Sequence, residues 1–169
     1  MSLFKFPEEQ LDSPLGYFPA QPGQILKHGT WMITRKLGWG PRSSTWLVVD
    51  NDDQHRALKI LTATATADPN SKTERDFLFS FGEDFSIGVP QLLETFEEKD
   101  ESGRKHFCLL FGLLGTSVED LRQGNVSHGQ KLPVHIVQKV IGDISGDLTS
   151  LATRNIIHSG TSRVPIISS

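Results

Sequence analysis

The tetrad Gly38-Trp39-Gly40-Pro41 stands between two runs of strand-forming residues, and this placement constrains the fold more than any other feature. Before it, Trp31-Met32-Ile33-Thr34-Arg35-Lys36-Leu37 is rich in the β-branched and aromatic side chains that suit a half-buried pleated surface. The glycines break this run, and Thr45-Trp46-Leu47-Val48-Val49 starts a second strand. A dinucleotide-binding turn needs a helix directly after its glycines, and strand formers stand there instead. A GxxxxGK[ST] phosphate loop is absent from the chain. Asn51-Asp52-Asp53 then reads as a turn and Arg56–Leu61 as a third strand, so the segment is an antiparallel meander.

The rest of the chain extends this pattern. Residues 1–28, punctuated by Pro7, Pro14, Pro19 and Pro22, read as an extended N-terminal arm. Thr62–Asn70 is linker-like. Ser71 with Glu74 forms a capping-box pattern for a helix through Lys72–Phe81. Gln91–Glu98 and His106–Phe111 add two strands, joined by the charged turn Lys99–Lys105. After Gly115 the period changes to that of helices, at Ser117–Gln123 and Pro133–Thr153. In the longer one Val137, Val140, Ile141, Ile144, Leu148 and Leu151 make an apolar stripe. The fold class is α+β: a five-stranded antiparallel sheet with one helix, then helices. The expected divisions are 1–28, 29–115, 116–159 and a tail at 160–169.

Composition excludes several functions. Seventeen Lys+Arg against twenty Asp+Glu give a net charge of −3, leaving no basic excess for a nucleic-acid backbone. The single Cys108 rules out an internal disulfide and fits a reducing compartment. In its Phe-Cys-Leu-Leu context it reads as a small buried hydrophobe. The longest apolar run, Phe107–Leu114, is far short of a membrane span, and MSLFKFPEEQ lacks a secretory h-region. The expectation is an intracellular protein, cytoplasmic or nuclear, without a membrane partner. His28, His55, His106, His128, His135 and His158 lack metal-ligand spacing, so no metal site is assigned. Asp50–Asp53 and Glu97–Glu101 read as solvated turns.

Two signals carry chemistry. A GxG pair is most often a plain turn, but a strand–glycine turn–strand hairpin is also the geometry that folds over a nucleotide's phosphates. Lys59, within Ala57-Leu58-Lys59-Ile60, is either a lysine on the solvent face of an edge strand or a cation placed to meet phosphates. In the second case Ala57 leaves room for an adenine, and Glu74 supplies a carboxylate partner.

With these residues in order, the chain resembles the eukaryotic protein kinases over roughly residues 15–159, on the SR-protein kinase branch and its fungal relatives. Leu15-Gly16-Tyr17-Phe18-Pro19 looks like that branch's lead-in arm, and Arg35-Lys36-Leu37-Gly38-Trp39-Gly40 like its phosphate loop. Ala57-Leu58-Lys59-Ile60 matches the phosphate-binding strand, and Glu74-Arg75-Asp76-Phe77-Leu78 places Glu74 as the ion-pair glutamate. His106–Phe111 looks like the strand entering the hinge, with Phe111 as gatekeeper and Leu114 offering hinge backbone groups. The resemblance implies a kinase-type N-lobe with hinge at 29–115 and the start of a helical C-lobe at 116–159. It also implies a nucleotide site at Leu37, Gly38, Trp39, Gly40, Ser43, Thr45, Ala57, Lys59, Glu74, Phe111 and Leu114, with ATP and Mg²⁺ as the family's cofactors. Ser/Arg-rich proteins are the substrates it implies.

The sequence also departs from that family. His158-Ser159 is followed by Gly160 where the catalytic aspartate belongs, by Ser162 at the lysine position and by Pro165 at the metal-binding asparagine position. An Asp-Phe-Gly motif is absent before Ser169. A shifted reading frame, a retained intron or an early stop would each explain the break. Pro41 removes one backbone donor from the phosphate loop, Arg42 replaces an aromatic, Thr45 a valine and Gly112 an acid. These changes lower the expected ATP affinity. The expectation is therefore a kinase relative whose chain is catalytically incompetent through truncation, with no catalytic residue assigned. The alternatives are a pseudokinase-like binding or regulatory module and the product of a disrupted gene model. The stripe on the 137–151 helix face adds an expectation of self-association.

Overall fold

A computed structural model describes residues 15–69, 76, 78, 90–115, 117–127 and 131–154, the side chains of 125–127 excepted. The chain divides into two compact units, Met1–Gly82 with Gln91–Leu113, and Glu83–Pro90 with Leu114–Ser169.

The first unit is a six-stranded antiparallel sheet: β1 (Ile25–Leu26), β2 (Trp31–Gly40), β3 (Ser43–Val49), β4 (His55–Leu61), β5 (Leu92–Lys99) and β6 (Lys105–Phe111), in the order β1-β2-β3-β4-β6-β5. The five expected strands are all present. A sixth, β1, comes from residues read as arm, and pairs Ile25 with Met32 and Leu26 with Trp31. Phe18, Ala20 and Leu26 from the same stretch enter the core beside Trp31, Ile33, Trp46, Val48, Leu58, Ile60, Cys108 and Leu110. Each aliphatic side chain buried this way contributes about 1.5–3 kcal/mol, so the described part of the arm is structural. Ser44 sits among these side chains because its hydroxyl accepts a 3.0 Å hydrogen bond from the Trp46 indole N–H.

Three further details depart from the expectations. Strand β2 does not stop at Leu37 but runs through Gly40, with register shifts between Ile33 and Arg35 and between Lys36 and Gly38. Such shifts add twist without ending the ladder. Thr62–Asn70 is not merely a linker, since a short helix α1 spans Ala63–Ala67. The Thr62 hydroxyl caps it by accepting from the Ala65 N–H at 3.1 Å, while the Gly16 carbonyl accepts from Ala63 N–H at 2.8 Å. Third, Asp100 is buried rather than solvated. Its carboxylate accepts from the backbone N–H groups of Ser102 and Arg104, the Ser102 hydroxyl and the Arg104 guanidinium, at 2.7–3.0 Å.

A clasp ties the two sides of the sheet. Lys27, in a tight turn with φ 51°, donates its backbone N–H to Glu98 and pairs its ammonium with Glu94, both on β5. The helix expected at Lys72–Phe81 has only Asp76 and Leu78 described, both helical. Ser71 and Glu74 lie outside the described residues.

In the second unit α2 spans Val118–Ser127 and α3 Val134–Thr153. Ser117 starts α2 by accepting from the Asp120 N–H at 3.1 Å and donating its hydroxyl to the Asp120 carboxylate at 2.6 Å. Pro133 precedes the first turn of α3, where a missing N–H costs nothing. The stripe on α3 is only partly exposed. Val137, Ile141 and Leu148 are exposed, together with Val134, whereas Leu151 is buried and Val140 and Ile144 are half-buried. No helix among the described residues is long and apolar enough to cross a membrane.

Candidate nucleotide site on the sheet

Side chains that pair across antiparallel strands share a face, so the register decides which expected site residues meet. One row crosses the sheet as Gly38, Thr45, Lys59 and Leu109. A neighbouring row on the same face carries Arg35, Leu47, Ala57 and Phe111, and on the other side lie Gly40, Ser43 and Leu61. This is the face opposite the core, because Ser44, Trp46, Val48, Leu58 and Ile60 occupy the alternate positions. Seven expected residues from four strands thus come together: Gly38, Gly40, Ser43, Thr45, Ala57, Lys59 and Phe111. All seven are half-buried.

The others fall differently. Leu37 sits at the second register shift and is exposed. Trp39 pairs with Ser44, in the alternate register, and is 56% exposed. Leu114 belongs to the second unit. Glu74, His158, Gly160, Ser162 and Pro165 lie outside the described residues.

The glycines themselves are informative. Neither Gly38 nor Gly40 has a positive φ, and among the described residues a Cβ added to either would meet nothing within 4 Å. Neither backbone conformation nor internal packing therefore requires glycine at these two positions. Glycine at both positions leaves the backbone open to close approach from outside the chain. The turn between them and β3 is only Pro41-Arg42, since Gly40 pairs directly with Ser43. Lys59 brings a cation to the same row, and Ala57 keeps the space between Leu47 and Phe111 low. These residues fit an anionic ligand carrying a flat apolar group. Among the described residues no group of three or more His, Cys, Asp and Glu side chains could hold a metal ion.

Cys108 lies on the core face, where burial first and the charge of Glu98 second push its thiol up. It is an inert small hydrophobe there, as its sequence context suggests. Sequence reasoning missed the His106–Asp100 pair. His106 is fully buried, with Nδ1 2.9 Å from the Leu61 carbonyl and Nε2 3.4 Å from the Asp100 carboxylate. The only signal for it was a histidine inside an otherwise apolar strand.

A crystal structure of a kinase domain matches this fold with a TM-score of 0.68, over 82% of this chain and 39% of that one. At 20% sequence identity that likeness concerns the fold alone. The class defined is therefore a partial protein kinase fold. No family model matches the chain. The serine/threonine-protein kinase SRPK of Physarum polycephalum is 31% identical over 150 residues, covering 85% of this chain and 34% of the relative. Protein kinase dsk1 of Schizosaccharomyces pombe is 31% identical over 132 residues, covering 74% and 24%. SRSF protein kinase 3 of Mus musculus is 30% identical over 166 residues, covering 85% and 26%. The chain belongs to the protein kinase family, on its SR-protein-kinase-like branch. It spans about a third of the first of these relatives and about a quarter of the other two.

Proposed function

We propose that the first unit binds an adenine nucleotide on the non-core face of its sheet, and that this chain does not transfer the phosphoryl group. One observation carries the proposal: Gly38, Thr45 and Lys59 share a cross-strand row next to glycines that neither fold nor packing requires. Lys59 supplies charge to the phosphates, the glycine hairpin supplies backbone N–H groups, and Ala57 and Phe111 flank the base. Glu74 is the partner that the resemblance implies for Lys59. In the intact family the nucleotide supplies the phosphoryl group passed to Ser/Thr of Ser/Arg-rich proteins, with Mg²⁺ balancing its charge. Here Gly160, Ser162 and Pro165 replace the residues that would accept the proton and hold the metal, so binding without turnover follows. An intracellular setting, cytoplasmic or nuclear, belongs to the same proposal.

The test is calorimetric titration with ADP and ATP, with and without Mg²⁺. Binding is expected to be weak and largely independent of Mg²⁺. Lys59→Ala removes hydrogen bonds to a charged group, worth about 1.5–3 kcal/mol, and is expected to weaken binding about 10- to 100-fold. Tight binding that strictly requires Mg²⁺, or equal affinity in Lys59→Ala, would overturn the assignment.

The same proposal includes self-association through α3. Val134, Val137, Ile141, Ile144, Leu148 and Leu151 follow one another at steps of three and four, the spacing of a two-helix seam. Four of them are exposed, which fits a second copy of the same helix. Sedimentation velocity is expected to show concentration-dependent dimers. Ile141→Lys is expected to weaken them at least about tenfold, from about 1.5–3 kcal/mol of lost burial per side chain. A monomer at every concentration would remove this part.

A further inference from the structure

A hairpin with two glycines and a two-residue turn needs something to hold its tip at a fixed height, and the chain supplies three anchors. The Tyr17 hydroxyl donates to the Gly40 carbonyl at 2.8 Å. The Thr62 backbone N–H donates to the Arg42 carbonyl at 2.9 Å. The Arg42 guanidinium reaches the Asp68 carboxylate at 2.8 Å.

Each anchor rests on fixed structure. The arm carrying Tyr17 is tied to the first turn of α1, where the carbonyls of Leu15 and Gly16 accept from Thr64 and Ala63. Gly16 takes φ +64°, and a Cβ there would lie 3.1 Å from the Arg104 guanidinium and 3.2 Å from Ala63 Cβ. At that position glycine is required by the fold, unlike Gly38 and Gly40. The Leu61–Thr62 peptide is held from both ends, because its N–H supports Arg42 while its carbonyl faces buried His106 at 2.9 Å. Of the three anchors, only the Tyr17 hydroxyl bonds a glycine of the hairpin directly.

We propose that Tyr17 is a positioning residue that sets the height of the Gly38–Gly40 hairpin over the phosphates of a bound nucleotide. The proposal rests on the nucleotide-binding reading above. In this role Tyr17 acts through the Gly40 carbonyl. Removing its hydroxyl loosens the Gly40 end of the hairpin, leaving only the two anchors at Arg42. The consequence falls on ligands that carry phosphates and spares those that do not.

The experiment is Tyr17→Phe in the full chain, with two readouts. Hydrogen exchange of the amides of Trp39, Gly40, Arg42 and Ser43, without ligand, is expected to quicken about fivefold, the loss of one ordinary hydrogen bond. Calorimetric titration is expected to show ADP affinity falling about fivefold and adenosine affinity unchanged. Unchanged hairpin exchange overturns the clamp. An equal loss for ADP and adenosine also overturns it, because that pattern marks a general structural defect. A wild-type chain that binds neither ligand overturns the nucleotide reading instead, and quickened hairpin exchange then still supports the Tyr17 anchor.

Discussion

Asp100→Asn is expected to destabilise the first unit by about 3 kcal/mol, measured by urea denaturation at neutral pH. The Asp100 side chain is 2% exposed, and its two oxygens serve donors from Ser102 and Arg104, with His106 Nε2 3.4 Å from one of them. An amide keeps the volume but turns one acceptor into a donor, which must then face other donors at a buried position. Burial alone would push the Asp100 carboxyl up, but the hydrogen bonds from Ser102, Arg104 and His106 outweigh it and hold the group well below the usual carboxylate range. A carboxyl lowered in the folded state stabilises the fold above its unfolded value, about 3.9, and loses that contribution as pH falls below it. Wild-type stability is therefore expected to drop as pH falls below about 4, and the drop should be shallower in Asp100→Asn. Parallel stability curves for the two proteins would show that the carboxylate is not held as the geometry implies. The loss is a large fraction of the ~5–15 kcal/mol of a typical domain, so the variant tests the turn severely.

The parts of this chain that were legible in its sequence are those written in local pattern. Five strands announced themselves through β-branched and aromatic runs, and the glycine hairpin through its position between two of them. The sheet-face site follows from the same pattern once the register is known, because period-two alternation puts Thr45, Ala57 and Lys59 opposite the core. Much of what escaped was decided at long range. Phe18 and Leu26 read as residues of an extended arm until the sheet gives them a core to enter. The helix α1 depends on carbonyls lent by Leu15 and Gly16, almost fifty residues away. Asp100 sits in the acidic stretch Glu97–Glu101, which propensity reads as solvated, and only the fold brings His106 against it. Trp39 was placed with the ligand-facing residues, yet the register shift before Gly38 pairs it with Ser44 and leaves it exposed.

Phosphoryl transfer by this chain is expected at the background rate, with any Ser/Thr substrate. The reaction offers the protein little covalent chemistry, so rate comes from positioning and from charge placed where it develops. In the pattern this chain resembles, the residue two after His158 accepts the substrate's proton, and here that residue is Gly160, with no side chain to do so. A positioned general base alone is worth about 10²–10⁴-fold. Ser162 stands in place of a cation and Pro165 in place of a metal ligand, so the charge that those two positions supply in the family is expected to be missing, with Lys59 alone remaining. On the proposed reading Lys59 and the glycine hairpin bind the nucleotide, and binding that is equal in the ground and transition states does not raise the rate of the chemical step. The measurement is incorporation of label from ATP and Mg²⁺ into an Arg/Ser-rich peptide, with Lys59→Met as the control. Equal, background incorporation in both proteins is the expected result. Gly160→Asp alone is expected to restore nothing, because a base without a bound metal and a neutralised leaving group addresses only one part of the barrier. Incorporation that is present in the wild type and disappears in Lys59→Met would overturn this, and would mean that another side chain of this chain takes the proton.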